Sequence, residues 1–138
     1  PLAEEEIDIL DRNEHQNPIN TIKAVLNIEN IIDLQNEIKK IKCSDIVKGY
    51  IVSIINATRN NDNLKLGVSP RGSIGLFKAA KVYAYFDDRD YIIPEDIKAC
   101  AVAVLSHRII LSPKGKSNFE SQENVIQNII EAVNVPKM

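Results

Sequence analysis

Apolar residues recur at three- and four-residue steps through almost the whole of this chain, and strict alternation of apolar with polar residues is nearly absent. A period of 3.6 lines side chains along one stripe of a helix, whereas a strand needs a period of two. The chain is therefore expected to be all-α. The stripe is plainest in Ile46, Val47, Tyr50, Ile51, Ile54 and Ile55, behind Ser44 as an N-cap, and predicts a helix running to about Arg59. Ile31, Leu34, Ile38 and Ile41 mark an earlier amphipathic helix. Ile7 and Leu10, facing inward behind Glu4, Glu5 and Glu6, mark a first one that Asn17 and Pro18 end. Downstream, Ser69 and Pro70 open a helix whose inner face is Ile74, Phe77, Ala80 and Ala84. Another starts at Pro94-Glu95-Asp96 and carries Ile97, Cys100, Ala101, Val104 and Leu105, and a last one carries Val125, Ile126, Ile129, Ile130 and Val133. Residues 60–63 form a polar break, and residues 87–90 turn into an extended Tyr91-Ile92-Ile93. Residues 112–121, with Pro113 and Gly115, read as a mobile surface loop.

Helices this short need one another to be stable, so the expectation is one helical bundle of about five to six helices over residues 1–138. A length of 138 residues, 44% hydrophobic and 26% charged, suits one such domain and argues against disorder. Net charge is −2 with both signs interspersed, which leaves no broad positive field for nucleic acid. No apolar run approaches the roughly 18–20 residues of a membrane span, and the first residues are acidic where a secretory signal is basic. A soluble, cytoplasmic protein is expected. The chain opens at Pro1 rather than at a methionine, so an upstream portion is expected as well. Cys43 and Cys100 stand apart from each other and from both histidines, which suits buried thiols rather than a metal or redox site.

Arg71 is the residue that local electrostatics does not explain. It falls in the first turn of the Pro70 helix, where a cation faces the positive pole and the unpaired N–H groups at a cost of about 0.3–1 kcal/mol. An anion bound there reverses the argument, because guanidinium and backbone donors then converge on the same oxygens, and a phosphate fits. From the residues alone, a surface or intramolecular ion pair is the readier explanation of Arg71. Arg59, at the end of its helix, is accounted for by the dipole there, with a nucleotide or subunit contact as the alternative. His107 and Arg108 suit a structural or subunit contact, and His15 a solvent-facing helix end. Tyr50, Tyr83, Tyr85 and Tyr91 are expected in the core or packed beside it.

Four blocks carry a resemblance: Ala57-Thr58-Arg59, then Leu64-Lys65-Leu66-Gly67-Val68-Ser69-Pro70-Arg71-Gly72-Ser73, then Arg89-Asp90-Tyr91-Ile92-Ile93-Pro94-Glu95-Asp96-Ile97, then Val104-Leu105-Ser106-His107-Arg108-Ile109. In this order they resemble the C-terminal lid of the MoxR family of AAA+ ATPases, and Glu4-Glu5-Glu6 with Ile9-Leu10 resembles the lid's opening helix. The resemblance implies an AAA+ lid fold. It also implies that Arg71 is the second-sensor arginine, reaching toward the γ-phosphate of ATP bound by a core outside this sequence. By the same resemblance Pro70, Gly72 and Ser73 complete the nucleotide-facing set, with Gly72 and Ser73 letting the backbone come close to the nucleotide. Val68 stands where the family often has alanine. The implied partners are the ATPase core of the same protein, a ring of identical subunits, expected to be a hexamer, and proteins with a von Willebrand A domain. The implied parent is a chaperone-like ATPase.

The sequence contains no GxxxxGK[ST] phosphate loop and no apolar strand ending in paired acids to hold Mg2+. These 138 residues are therefore not expected to hydrolyse ATP alone, and with one arginine contact worth about 1.5–3 kcal/mol they are expected to bind it very weakly. The alternative reading is an interaction module without a nucleotide role, since Tyr91-Ile92-Ile93-Pro94-Glu95-Asp96-Ile97 also resembles the loop-to-helix entry of histone-like folds. A free-standing enzyme has the least support, because no nucleophile, base and orienting group fall together.

Overall fold

Serine caps decide where three of the helices begin. Ser44 Oγ accepts from the Val47 N–H at 3.3 Å, Ser112 Oγ from Gly115 at 3.1 Å and Ser121 Oγ from Asn124 at 3.3 Å. Each satisfies one of the donors that a helix start leaves unpaired. The structure, a computed structural model, describes residues 2–15 and 18–137. Among them lie seven α-helices: α1 Ala3–His15, α2 Ile28–Lys40, α3 Asp45–Arg59, α4 Pro70–Phe86, α5 Pro94–Leu105, α6 Pro113–Asn118 and α7 Gln122–Ala132. Short 3-10 turns cover Pro18–Thr21 and Ser106–Arg108. Strands β1, Leu64–Leu66, and β2, Ile110–Leu111, pair antiparallel with Leu64 opposite Leu111 and Leu66 opposite Ile110. The all-α expectation holds apart from this small ribbon, and the helix count exceeds the expected five to six.

The chain divides into two compact units, Pro1–Leu34 and Gln35–Met138, where the periodicity suggests one bundle. In the first, no described residue is buried, and Ile7 and Leu10 are 57% and 66% exposed rather than inward-facing. A unit this small has too little interior to enclose an apolar stripe. The side chain of His15 and the whole of Asn17 lie outside the described residues.

In the second unit α5 is the central helix, packed most extensively on α4 and also against α3 and α7. Its Ile97, Cys100, Ala101 and Leu105 meet Val47, Tyr50, Ile51, Ile54 and Ile55 of α3, Leu76, Ala80 and Ala84 of α4, and Val125, Ile126, Ile129 and Ile130 of α7. The buried face of α4 is Gly72, Leu76, Ala80 and Ala84, a strict four-residue step whose small members let α4 and α5 approach closely. Ile74 is exposed and Phe77 only half-buried, against the expected inner face, because α5 selects the neighbouring stripe. Of the four tyrosines Tyr50 is buried, Tyr85 half-buried, and Tyr83 and Tyr91 exposed. Cys100 is buried as expected, while Cys43 is only partly so.

Residues 112–121 are not the expected loop. They contain α6, and backbone geometry ties it down: Ser112 N–H donates to the Asn63 carbonyl at 2.8 Å, and Ser112 Oγ donates to the Asp62 carbonyl at 2.8 Å. Gly115 is buried on the same turn, where a Cβ would lie 2.0 Å from the Asn63 oxygen. The polar break at residues 60–63 presents unpaired carbonyls, and α6 supplies the donors that they need.

Candidate functional site

The start of α4 is positioned by the end of α3. Thr58, fully buried, donates its hydroxyl to the Ile55 carbonyl at 2.6 Å, a back-bond within the last turns of its own helix. The same Oγ1 accepts the Val68 N–H at 3.0 Å, and Arg59 Nε donates to the Val68 carbonyl at 2.9 Å. Both polar groups of Val68 are thus satisfied by two consecutive residues of α3. Gly67 makes the approach possible, since a Cβ there would lie 2.7 Å from the Thr58 oxygen and from the Arg59 Cα. The Ala57-Thr58-Arg59 and Gly67-Val68 blocks are one joint, from which the chain enters α4 in a set direction.

At that entry Ser69 has the extended backbone of an N-cap (φ −75°, ψ 166°), yet its side chain makes no capping hydrogen bond. Pro70 occupies the first helical position, where its missing N–H costs nothing. Arg71 follows in the first turn. It is exposed, and it makes no hydrogen bond or ion pair with any described residue, so the intramolecular ion pair that the sequence left open is not formed. The Gly72 N–H is taken by the Ser69 carbonyl at 2.8 Å, so a guanidinium at the positive pole of this helix is a local surplus of positive charge with the Arg71 N–H as the open backbone donor beside it.

The other three residues of the expected set divide. Pro70 is exposed with Arg71, and Ser73 is half-buried beside Val52 of α3. Gly72 is buried, and a Cβ there would lie 2.2 Å from Val68 Cγ1, 3.4 Å from Arg108 Cδ and 3.7 Å from Leu105 Cδ2. Internal packing is sufficient reason for glycine at this position. Arg108, in the 3-10 turn after α5, anchors its Nε on the Val104 carbonyl at 2.8 Å and lays its side chain along α4. Its Nη2 lies 3.8 Å from where a Cβ of Gly75 would be. Arg59 and Arg108 thus have carbonyl partners and no carboxylate among the described residues. The spacing Gly72-x-x-Gly75, one helical turn apart, is the sequence signal for Arg108's path along α4. His107 is exposed. No group of three or more His, Cys, Asp or Glu able to hold a metal ion occurs among the described residues, and none of their helices is long and apolar enough to cross a membrane.

The AAA lid domain family matches residues 56–129, which run from the end of α3 into α7 and include the whole joint and α4. Over 136 residues the chain is 43% identical to the protein YeaC of Bacillus subtilis, covering 99% of this chain and 42% of that one. It is 29% identical to the chaperone MoxR1 of Mycobacterium tuberculosis over 147 residues, covering all of this chain and 38% of that protein. A crystal structure of a Cytophaga hutchinsonii protein assigned as an ATPase superposes with a TM-score of 0.81 at 30% identity, over 98% of this chain and 44% of that one. The chain therefore spans about two fifths of the length of the relatives that it matches. With the family match covering more than half of the residues and the likeness extending over both sequence and fold, the chain belongs to the AAA lid domain family, as a lid of the MoxR type of AAA+ ATPase.

Proposed function

We propose that this domain closes over ATP held by the nucleotide-binding core of the same protein, and that Arg71 is the second-sensor arginine contacting the γ-phosphate. The observation that carries the reading is the state of Arg71: exposed, without a partner among the described residues, on the first turn of a helix whose N-cap side chain makes no capping bond, so that the Arg71 N–H stays open while the Gly72 N–H is taken by the Ser69 carbonyl at 2.8 Å. A phosphate oxygen suits both the guanidinium and the Arg71 N–H, so the residues present fit a nucleotide approached from the γ-phosphate side. No group of three or more His, Cys, Asp or Glu able to hold a metal ion occurs among the described residues, and on this reading Mg2+ is held by the core. When ATP is bound, the core supplies the phosphoryl chemistry, and the lid supplies a charge that follows the γ-phosphate. Loss of that phosphate releases Arg71, and the lid turns against the core as a hinged body. Pro70 and Gly72 hold the Arg71 backbone in place, and Ser73 completes the first turn.

The parent protein is on this reading a cytoplasmic, chaperone-like ATPase working as a ring of identical subunits, a hexamer, with von Willebrand A domain proteins among its partners. The relative named a chaperone supports the client-directed role. The test is steady-state ATP turnover and ATP affinity of the intact protein with Arg71→Ala. Loss of one charged contact, about 1.5–3 kcal/mol, corresponds to a tenfold to hundredfold fall in turnover or affinity. Unchanged turnover and affinity would remove Arg71 from the nucleotide site.

A further inference from the structure

A second feature lies away from Arg71, on the opposite side of the α4 surface from its buried stripe, and within the second unit. Between the C-terminal half of α2 and α4 runs a hollow of about 660 Å3. Its apolar floor is Ile38, Ile74, Phe77 and Val82, and its charged members are Lys39, Lys78 and Lys81, with no carboxylate among them. On α4 the lining positions 74, 77, 78, 81 and 82 follow the three- and four-residue steps of one helix face, and 35, 38 and 39 do the same on α2. Two such faces side by side form a groove that a third helix can fill.

The lysines are arranged rather than loose. Lys81 Nζ donates to the Lys39 carbonyl at 2.7 Å and stands 5.2 Å from the centre of the Phe77 ring. Lys39 Nζ donates to Asn36 Oδ1 at 3.0 Å. Lys78 is exposed, and none of the three lysines forms an ion pair with a described residue, so their charges remain uncompensated by acidic groups there. Ile74 and Phe77 also line a neighbouring hollow with Ile51 and Val52 of α3, which lengthens the apolar floor.

We infer that this groove is a docking site for an acidic amphipathic helix of a partner protein, its apolar stripe seated on Ile74 and Phe77 and its carboxylates facing Lys39, Lys78 and Lys81. Charge selects this occupant over the others. An isologous pairing of two copies through this face would set the lysines of one against those of the other, and like charges brought together oppose binding. A bilayer surface meets a convex basic face, and here the apolar residues line the floor of a hollow. Arg71 is not among the residues that line this groove.

The experiment titrates the 138-residue chain against a labelled helix-forming peptide of about 15 residues with leucines at i, i+3, i+4 and i+7 and glutamates flanking them, and against its lysine-flanked counterpart. Saturable binding of the acidic peptide is expected, with the lysine-flanked one about tenfold weaker or worse. Lys78→Glu and Ile74→Ala each weaken the acidic peptide severalfold while the circular dichroism stays unchanged, and Lys116→Glu on α6 leaves binding as it was. Four results overturn the inference: no saturable binding, equal binding of both peptides, an equal loss with Lys116→Glu, or capture by phosphatidylserine vesicles without peptide binding. Sedimentation showing that the chain occupies the face by self-association overturns it too.

Discussion

Val68 is the residue on which the site turns, because its N–H is held by the buried Thr58 and its C=O by Arg59, and Val68 itself is buried. Thr58→Val keeps the shape of the side chain and removes the acceptor, leaving the Val68 N–H without its partner. Such a loss costs about 1–3 kcal/mol, and urea denaturation of the chain is expected to show it as a lower midpoint at unchanged slope. An unaltered midpoint would mean that the joint does not depend on this bond. On the proposed nucleotide-sensing role of Arg71, the same variant in the intact protein is expected to lower ATP turnover by misdirecting α4 although Arg71 is present.

Cys100 makes a second prediction at this scale. Burial pushes its thiol from the ordinary 9.0 up to about 11, outweighing its backbone hydrogen bond, which acts the other way. The folded state thus holds its proton more tightly than the unfolded state, so this contribution to stability is intact below about pH 9 and is lost as pH rises from 9 toward 11. A thiol reagent at pH 8 is expected to modify the half-buried Cys43 first and to reach Cys100 only on unfolding. Equal rates at the two cysteines in the native chain would contradict the burial of Cys100.

Among the elements, the turn between α4 and α5 is the most constrained. Arg89 forms two bonds to Asp96, Nη1 to Oδ2 at 2.8 Å and Nη2 to Oδ1 at 2.5 Å, and Nη1 also donates to the Tyr91 carbonyl at 3.1 Å. Asp96 is 3% exposed and accepts the Ile93 N–H at 2.9 Å, which caps the start of α5. Asp88 turns the corner in the left-handed region at φ 53°, and Arg89 N–H closes the end of α4 on the Ala84 carbonyl at 2.9 Å. Arg89→Ala strands a buried carboxylate, and breaking such a pair by removing one partner costs about 3 kcal/mol. Asp96→Asn, which keeps an acceptor for Ile93, is expected to cost less. Thermal melts of both single variants and of the double variant would give the coupling, and additive losses would deny that the pair acts as a unit.

At the scale of the whole molecule, the core begins at Ile41, and none of the described residues of the first unit is a buried hydrophobic member of it. A chain beginning at Gln35 is therefore expected to keep a single cooperative thermal transition at close to the same temperature. A broad, non-cooperative melt would show that residues before Gln35 are needed for that core.

Helix identity was legible in the sequence because it rests on neighbours: a serine three residues before the donor that it caps, a proline at a helix start, apolar residues one turn apart. Ser44, Ser69-Pro70 and Pro94 mark starts that the structure keeps. Arg71's place in the first turn of α4 is local in the same sense, and so it could be read directly. The choice of buried face was not local. Ile74 and Leu76 are equally apolar, and α5 decides that Leu76 goes inside. The ribbon of β1 and β2 is too short to leave a period, and α6, with a proline and a glycine among its six residues, is helical because Asp62 and Asn63 offer carbonyls to it. The joint of Thr58 and Arg59 with Val68, the path of Arg108 over Gly72 and Gly75, and the basic groove all unite residues from separate elements. By itself the sequence determined which of the longer segments are helices, α6 excepted, and which arginine stands at a helix start, since those follow from backbone propensity and hydrogen bonds a few residues long. Only the tertiary structure decided which faces are buried, what holds α4 in place and which charges remain unpaired, since each depends on a partner that chain folding must first bring near.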